Sequence, residues 1–352
     1  MQAEDHDVHI FTTTRNLASV GVTKTEDITI HRFYSPAVVW NINPLTLMLR
    51  SLMKSESDVF HIHSHLYFSS NQAIIAKVLK QKPALLHLHG GVGIPPYDVG
   101  ILKLVAKHFY AKSLGEFTIK NSNVIASVSK SDLEEISTRY SLPETRLRYV
   151  PNMVDTDVFK PTSDCSPEKK SLLYLGDLEP WKGVGSLIKW INLMNKSFSE
   201  EITFRFVGQG SCMQNLLRLR SGVQKSGNGV SVEIMGQREH VDIPTILRSS
   251  SALILPSYWE GMPTVVLEAM ATGIPVISTP VGDIPTLIRH KETGFIIDRS
   301  FTSFKDAVSQ ILRNHSVIKN ISTNARKMIV RDYSLQKVTR SVAHIYSELA
   351  SW

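Results

Sequence analysis

Short apolar, β-branched runs alternate with amphipathic helical patterns along the whole chain, and no other feature of the sequence constrains the fold as strongly. Parallel strands that are buried on both faces appear as continuous apolar runs, and the helices between them cover the sheet. The alternation therefore predicts an α/β protein built on parallel sheets. The predicted strands are "HDVHIFTTT", "ITIHRFY", "DVFHIHS", "ALLHLHG", "NVIASVS" and "LRYVPN" in the first half, and "SLLYLGDL", "ITFRFVG", "VSVEIMG", "SALILPS", "PVISTP" and "GFIID" in the second.

A stretch rich in Pro, Asp, Ser and Lys at 151–170 divides the two series of strands and is typical of a linker. A length of 352 residues suits two domains. We therefore expect two doubly wound, Rossmann-like domains that face a cleft. They are an N-terminal domain over 1–160 and a C-terminal domain over 161–334, followed by a helix over 335–352 that packs back towards the N-terminal domain.

The charge of the chain limits the kinds of partner to be expected, and its cysteine content limits the cellular location. The net charge is +7, but no run of five basic residues and no basic stripe with interleaved aromatic residues occurs, so we expect an anionic small molecule and no nucleic acid. No apolar run approaches the ~18 residues that a membrane helix needs. Cys165 and Cys212 are the only cysteines and lack metal-ligand spacing, which predicts a reducing, cytoplasmic location.

The segment "SYWEGMPTVVLEAMATG" at 257–273 carries two carboxylates, Glu260 and Glu268, in an apolar context. Pro263 is well placed as the first residue of a helix, because its missing N–H costs nothing there. The amides of Thr264 and Val265 would then point out of the helix start. Oriented N–H groups and the helix dipole attract phosphate at such a position.

Glu268 lies farther along the same predicted helix, about 7.5 Å past Pro263 at 1.5 Å per residue. Carboxylates accept hydrogen bonds and cannot donate them, which suits sugar hydroxyls. A ligand with a sugar, a diphosphate and a ribose in sequence would satisfy both acids and the helix start. The alternative is that Glu260 is a loop charge and that Glu268 pairs with a Lys or Arg. In either case a buried Glu268 needs a partner.

These residues resemble the E-x(7)-E signature of the glycosyltransferase family four type, whose members have the GT-B fold. The similarity continues through "ILPSYWEGMPTVVLEAMATGIPVISTPVGDIPTLIRHKETGFII". The motifs "YLGDLEPWKG", "FVGQG", "IMGQ" and "YVPNMVDTDVF" match in order and spacing, and "DVFHIHSH" and "LLHLHGG" match the first domain. The resemblance covers nearly the whole chain.

The resemblance implies retaining transfer of a sugar from a UDP- or GDP-sugar to a glycan, lipid-linked or small-molecule acceptor, with no metal and no further cofactor. A lipid-linked acceptor would bring the protein to the inner face of the membrane. The resemblance also implies that Glu268 binds the ribose and that Glu260 contacts the transferred sugar. Lys182 would neutralise the diphosphate, which the backbone of Gly261, Met262, Pro263 and Thr264 would also bind. His89 would contact the sugar and the acceptor, and Gly208 would end a strand that faces the cleft.

Two departures from the family pattern keep other functions open. Asp177 stands where the family usually has an arginine, and Arg238 is our candidate for a compensating cation. The strand, glycine-rich loop and helix that open family members have no counterpart before residue 7, so we expect the N-terminal domain to lack its first strand. The departures favour, as an alternative, an inactive protein that binds a nucleotide sugar or a partner. A sugar-nucleotide epimerase of GT-B fold is the other alternative.

Histidines alternate within two predicted strands, with His61, His63 and His65 in one and His87 and His89 in the other. Alternate residues share one face of a strand. This spacing is compatible with a metal cluster. We favour core or cleft-lining roles, place His89 in the cleft, and predict no metal.

Overall fold

The computed structural model describes residues 6–25, 28–40, 43–90, 101–162, 170–198 and 200–351. The chain divides into two compact units. Unit 1 comprises Met1–Val150 and Thr339–Trp352, and unit 2 comprises Pro151–Val338. Each of the predicted strands is present, which confirms the α/β class. Cys165 lies outside the described residues.

Unit 1 consists of short strands, most of them parallel, and of the helices that connect them. Its strands are β1 (Val8–Thr14), β2 (Gly21–Lys24), β3 (Ile28–Tyr34), β4 (Ala37–Val39), β5 (Asn43–Leu45), β6 (Phe60–His63), β7 (Ala84–Leu88), β8 (Val124–Ser127) and β9 (Leu147–Tyr149). Its helices are α1 (Leu49–Lys54), α2 (Phe68–Lys80), α3 (Ile101–Tyr110), α4 (Glu116–Asn121) and α5 (Lys130–Tyr140).

The strands of unit 1 are divided between separate sheets. Strands β6, β7, β8 and β9 form a parallel sheet in that order. Strand β1 pairs in parallel with β3, whose other edge carries the antiparallel β2, and β4 with β5 forms a hairpin. Within the described residues β1 pairs only with β3 and β6 only with β7.

The core of unit 1 lies between the β6–β9 sheet and its helices. Ile62, Leu86 and Ile125 come from three adjacent strands, and Ile74 of α2 and Ile136 of α5 pack in the same cluster. All five are at most 3% exposed. Burial of each such side chain stabilises the unit by roughly 1.5–3 kcal/mol, which fixes the sheet that carries the alternating histidines.

Unit 2 is a single parallel sheet with helices between its strands. Its strands are β10 (Ser171–Leu175), β11 (Ile202–Val207), β12 (Val230–Gly236), β13 (Ala252–Leu255), β14 (Val276–Ser278) and β15 (Phe295–Ile296). The helices are α6 (Val184–Ser197), α7 (Met213–Ser226), α8 (Ile243–Arg248), α9 (Thr264–Thr272), α10 (Ile284–Leu287), α11 (Phe301–Arg313), α12 (His315–Asp332) and α13 (Leu335–Ala350), of which α13 continues into unit 1 from Thr339.

The strand order of unit 2, β12-β11-β10-β13-β14-β15, reverses direction between β10 and β13. The connections that follow β10 and β13 therefore lead to opposite sides of the sheet. In open α/β sheets such a switch point leaves a crevice at the carboxyl ends of the strands, where ligands bind. Leu172 of β10 and Ile254 of β13 are completely buried beneath it, so a packed core supports the loops at this edge.

No helix among the described residues combines the length and the apolar character that crossing a membrane requires.

Candidate functional site

The loops that follow β10 and β13 bring Lys182 and Glu260 together at the switch point of unit 2. Lys182 Nζ lies 2.8 Å from Oε1 and 2.9 Å from Oε2 of Glu260. The two side chains are 16% and 7% exposed. A buried charge is costly unless it is paired, and in this pair each residue neutralises the other. The sequence predicted both residues for the site, but not that they would pair.

The Ser257 hydroxyl holds the Glu260 carboxylate, and the Thr279 hydroxyl holds the backbone of Ser257. Ser257 Oγ donates a 2.7 Å hydrogen bond to Glu260 Oε1. Thr279 Oγ1 in turn donates to the Ser257 carbonyl oxygen at 2.5 Å. Both hydroxyl-bearing residues are completely buried. The carboxylate is therefore oriented by the ends of β13 and β14 and not by Lys182 alone.

The loops after β10 and β13 also pack directly against each other. A Cβ on Gly183, whose φ is +77°, would lie 1.9 Å from the Pro256 carbonyl oxygen, so only glycine permits this approach. The Tyr258 amide donates to the Trp181 carbonyl oxygen at 2.9 Å. The Trp181 ring lies 4.4 Å from Lys182 Nζ, close enough for a cation–π contact. Lys182 is therefore held by both the Glu260 carboxylate and the Trp181 ring.

Helix α9 begins at Thr264 and has Pro263 as its N-cap. The prediction that Pro263 is the first helical residue is wrong by one position, because its ψ of 122° is extended. The Val266 amide bonds back to the Pro263 carbonyl oxygen at 3.2 Å. The first amides of a helix have no acceptor within the helix, so Thr264, which is exposed, and Val265 begin a turn that still offers N–H groups to an anion.

The backbone before this helix is fixed by close packing. A Cβ on Gly282, whose φ is +53°, would lie 2.2 Å from the Glu260 carbonyl oxygen and 2.4 Å from that of Gly261. The Asp283 amide donates to the Gly261 carbonyl oxygen at 2.8 Å, and the buried Met262 accepts a 2.6 Å hydrogen bond from Asn152 Nδ2 at its carbonyl oxygen. The segment between Glu260 and α9 is therefore preorganised.

Glu268 lies in the middle of α9, and its partner is a histidine. Glu268 Oε1 lies 3.0 Å from His240 Nε2, and the two side chains are 14% and 73% exposed. The His240 ring is also 5.5 Å from that of Phe159. The sequence indicated that a buried Glu268 needs a partner but did not identify His240, although "GQREH" also contains the predicted Arg238.

Gly208 and Arg238 occupy the loops after β11 and β12. A Cβ on Gly208, whose φ is +139°, would lie 2.0 Å from the Gly176 carbonyl oxygen, so this glycine permits the adjacent loops to pack. Arg238 and Asp177 are both exposed. Within the described part of the chain no ion pair joins them, and the Asp177 carbonyl oxygen accepts a 2.6 Å hydrogen bond from Tyr174 Oη.

Glu179 is a further residue that the sequence did not single out. Its Oε1 accepts a 2.8 Å hydrogen bond from the Ser211 amide, and its Oε2 accepts one of 2.6 Å from Ser211 Oγ. Gly210 lies so close that a Cβ there would be 2.7 Å from Glu179 Oε1. Glu179 thus ties the loop after β10, which carries Lys182, to the loop after β11.

Unit 1 places four of the alternating histidines in one group, which we call the histidine cluster: His61, His63, His87 and His89. His63 Nδ1 lies 2.7 Å from His89 Nε2. The rings of His61 and His63 stack at 4.4 Å, and those of His87 and His89 lie 4.5 Å apart. His65 is buried and lies outside the cluster.

Burial sets the charge state of the inner members of the cluster. Loss of solvent lowers the pKa of His61 to about 2, and repulsion from the imidazoles of His63, His87 and His89 adds to this effect. The pKa of His87 falls to about 3 for the same reasons, partly offset by a hydrogen bond to the Val150 carbonyl oxygen. Both rings are therefore neutral at pH 7.

Two protein-family models match successive parts of the chain. Residues 155–328 match the glycosyl transferases group 1, and residues 1–158 match glycosyltransferase family 4. The two matches together extend over nearly all of the chain. The protein is a family 4 glycosyltransferase.

Two relatives of this glycosyltransferase are similar over most of their length. The UDP-Gal:alpha-D-GlcNAc-diphosphoundecaprenol alpha-1,3-galactosyltransferase of Escherichia coli is 25% identical over 347 residues, which cover 92% of this chain and 85% of the relative. The N-acetyl-alpha-D-glucosaminyl L-malate synthase of Bacillus anthracis is 24% identical over 335 residues, which cover 88% and 81%.

Solved structures show that the glycosyltransferase has the expected fold. Sucrose-phosphate synthase from Thermosynechococcus elongatus superimposes with a TM-score of 0.77 at 18% identity, covering 98% of this chain and 89% of the synthase. HepE from Anabaena in complex with UDP-glucose gives 0.71 at 14% identity, covering 97% and 99%. The GT-B class with two Rossmann-like domains, predicted from the sequence, is confirmed.

Proposed function

We propose that this glycosyltransferase moves a sugar, with retention of anomeric configuration, from a UDP- or GDP-sugar to a glycan, lipid-linked or small-molecule acceptor. The observation that carries the proposal is the Lys182–Glu260 pair at the switch point, next to the start of α9. An ammonium group and free amides suit a diphosphate, and a carboxylate suits sugar hydroxyls. A nucleotide-diphosphate sugar presents both chemistries on one molecule.

Donor binding would exchange the partners of the two charged residues. A diphosphate at the start of α9 would draw Lys182 towards itself, and a hydrogen bond of this charged type contributes about 1.5–3 kcal/mol. The Glu260 carboxylate, still held by Ser257, would then accept hydrogen bonds from the transferred sugar. Glu268 would accept hydrogen bonds from the ribose in place of its contact with His240.

The same groups would stabilise the transition state. Negative charge grows on the leaving diphosphate as the glycosidic bond breaks, and fixed positive groups aimed at that charge lower the barrier. In our proposal Lys182 and the amides around Thr264 supply this stabilisation, with no catalytic metal and no further cofactor. His89 stays a predicted contact of the sugar and acceptor.

The comparisons support UDP-sugars as the first donors to test. The name of the Escherichia coli relative specifies a UDP-galactose donor and a diphosphoundecaprenol-linked acceptor, and HepE was solved with UDP-glucose. We extend this chemistry to the present chain, including a lipid-linked acceptor at the inner, cytoplasmic face of the membrane. The net charge of +7 favours peripheral contact with an anionic lipid surface, and we expect no nucleic-acid partner.

The proposal is tested in two steps. A thermal-shift series with UDP, GDP and their sugars identifies the donor, because a ligand that binds only the folded state raises the melting temperature. Consumption of that donor is then measured with and without a lipid-linked N-acetylglucosamine acceptor. A glycosylated acceptor supports the proposal. Isomerisation of the donor without acceptor would instead support an epimerase, and donor binding without transfer to any of the three acceptor classes would support an inactive nucleotide-sugar-binding protein.

A further inference from the structure

The histidine cluster of unit 1 brings three imidazoles within reach of a common point. The parallel register pairs His63 of β6 with His87 of β7, and places His61 two residues before His63 on the same strand. Each of these three rings offers a nitrogen, and the three nitrogens lie within 4.8 Å of one another. The shared strand face, predicted from the alternation of residues, accounts for this grouping.

Among the residues that the structure describes, hydrogen bonds to other groups leave one nitrogen of each of the three rings free. His87 Nε2 lies 3.3 Å from the Val150 carbonyl oxygen. A carbonyl only accepts, so Nε2 carries the hydrogen and Nδ1 keeps its lone pair. His61 Nδ1 lies 2.6 Å from Tyr346 Oη, while its buried Nε2 has no hydrogen-bond partner within the described residues. A buried nitrogen without a partner is uncommon and calls for an explanation.

The third ring completes the same pattern. His63 Nδ1 contacts His89 Nε2 at 2.7 Å, so Nε2 of His63 is the nitrogen left over. Metal-binding histidines commonly use one nitrogen for the ion and direct the other to a carbonyl or another polar group, which orients the ring. Each of the three candidate ligand rings has such a second partner, which is Val150 for His87, Tyr346 for His61 and His89 for His63.

Against the metal-free prediction from the sequence, we propose that His61, His63 and His87 bind a divalent transition-metal ion of the Zn²⁺ and Co²⁺ type. Imidazole nitrogen favours these ions, whereas Mg²⁺ and Ca²⁺ prefer oxygen ligands, and no carboxylate belongs to the group. Three histidines with water in the fourth position form a known type of tetrahedral site. His63 is exposed, which gives the ion an entry route and leaves space for that water.

Binding requires a small rearrangement of the rings. The nitrogens of a tetrahedral site with bonds of 2.0–2.1 Å are about 3.4 Å apart, so separations of up to 4.8 Å would contract on binding. The His61 and His87 rings, now stacked with an interplanar angle of 13°, must also rotate so that their lone pairs converge. The bound ion would then join β6 to β7 and, through Tyr346, to α13, which predicts a gain in stability that does not depend on sugar transfer.

The test uses the full-length chain without an affinity tag, stripped with EDTA and then titrated with Co²⁺ and Zn²⁺. We expect saturable binding of one ion per chain, visible absorption typical of four-coordinate Co²⁺, and a higher melting temperature with Zn²⁺. Absence of saturable binding, or a Co²⁺ spectrum like that of the free aqueous ion, would overturn the proposal. These measurements on the wild-type chain need no variant to fold.

Variants then locate the ion. His63→Gln removes the exposed ligand and should abolish the Co²⁺ absorption, and Tyr346→Phe should weaken Zn²⁺ binding by about tenfold or more, because Tyr346 positions His61. The matched control is His31→Gln. His31 belongs to a separate contact in unit 1, in which His9 Nδ1 lies 2.9 Å from His31 Nε2. Equal binding by His63→Gln and the wild type, or loss of the Co²⁺ absorption in His31→Gln, would assign the ion elsewhere and overturn the proposal.

Discussion

Glu268 and His240 form a contact between a shielded carboxylate and an exposed imidazole, with 3.0 Å between Oε1 and Nε2. The carboxylate is 14% exposed, whereas the histidine side chain is 73% exposed. The histidine is therefore the partner that can move away into water at little cost. A ribose could replace it, and this asymmetry makes the role of Glu268 testable.

We expect Glu268→Gln to weaken nucleotide binding and His240→Ala not to weaken it. The glutamine is a weaker acceptor for two ribose hydroxyls, so affinity for UDP or GDP should fall by about tenfold, the loss of one charged hydrogen bond of about 1.5 kcal/mol. His240→Ala removes only a competitor and should leave affinity equal or higher. Isothermal titration calorimetry measures both. A loss of affinity in the alanine variant comparable to that in the glutamine variant would contradict ribose binding by Glu268.

Lys182→Ala should lower kcat/KM for transfer by about 10- to 100-fold, since the lost ammonium–diphosphate interaction is about 1.5–3 kcal/mol. Steady-state kinetics with the donor found by thermal shift provides the measurement. Lys189→Ala is the matched control, because Lys189 is an exposed lysine of the neighbouring α6. Turnover near the wild-type rate in Lys182→Ala would remove the basis of the diphosphate assignment.

Two glycines that follow Lys182 in the sequence should respond differently to the same substitution. Gly183→Ala places a Cβ 1.9 Å from the Pro256 carbonyl oxygen at a φ of +77°, which should lower the free energy of unfolding by roughly 3 kcal/mol. Gly185→Ala meets no atom within 4 Å and lies in α6, so stability should stay equal or rise by up to about 1 kcal/mol. Urea unfolding compares them. Similar stabilities would show that the loops do not pack as described.

Arg326→Ala should destabilise unit 2, because the Arg326 guanidinium donates hydrogen bonds to several backbone carbonyl oxygens. Its Nη1 donates to the carbonyl oxygens of Phe159, at 3.0 Å, and Ala271. Removal should cost about 1.5–3 kcal/mol, measured as a shift of the urea midpoint at constant slope. Lys327→Ala, at the exposed next position of α12, should change stability by less than about 0.5 kcal/mol. Equal effects of the two substitutions would argue against this account.

The sequence predicted the parallel strands well because their signal is local. The run "SALILPS" is apolar on both faces and "ITFRFVG" is apolar on the face of Ile202, Phe204 and Phe206, and the structure buries β13 completely and most of β11. The antiparallel β2 and the β4–β5 hairpin were not predicted. Strand β2 is exposed throughout, and a strand without a buried face carries no apolar alternation that could reveal it.

The candidate site was predicted as a set of residues but not as a set of contacts. Lys182 and Glu260 are far apart in sequence and meet because β10 and β13 are neighbours, which depends on strand order. Glu179 and His240 were missed for the same reason, since their partners Ser211 and Glu268 lie on other loops and elements. Only the spacing between Glu260 and Glu268, set within one segment, was accessible from sequence.

Mutual neutralisation of Lys182 and Glu260 has a consequence for selectivity. An anion that carries no hydroxyl groups, such as inorganic pyrophosphate, would take the lysine and leave a carboxylate that is 7% exposed with Ser257 but no cation. That desolvated charge would oppose capture of the bare anion. In the proposed site, only a ligand that interacts with both Glu260 and Lys182 would avoid this cost, so the ion pair would favour sugar-bearing diphosphates over simpler phosphates.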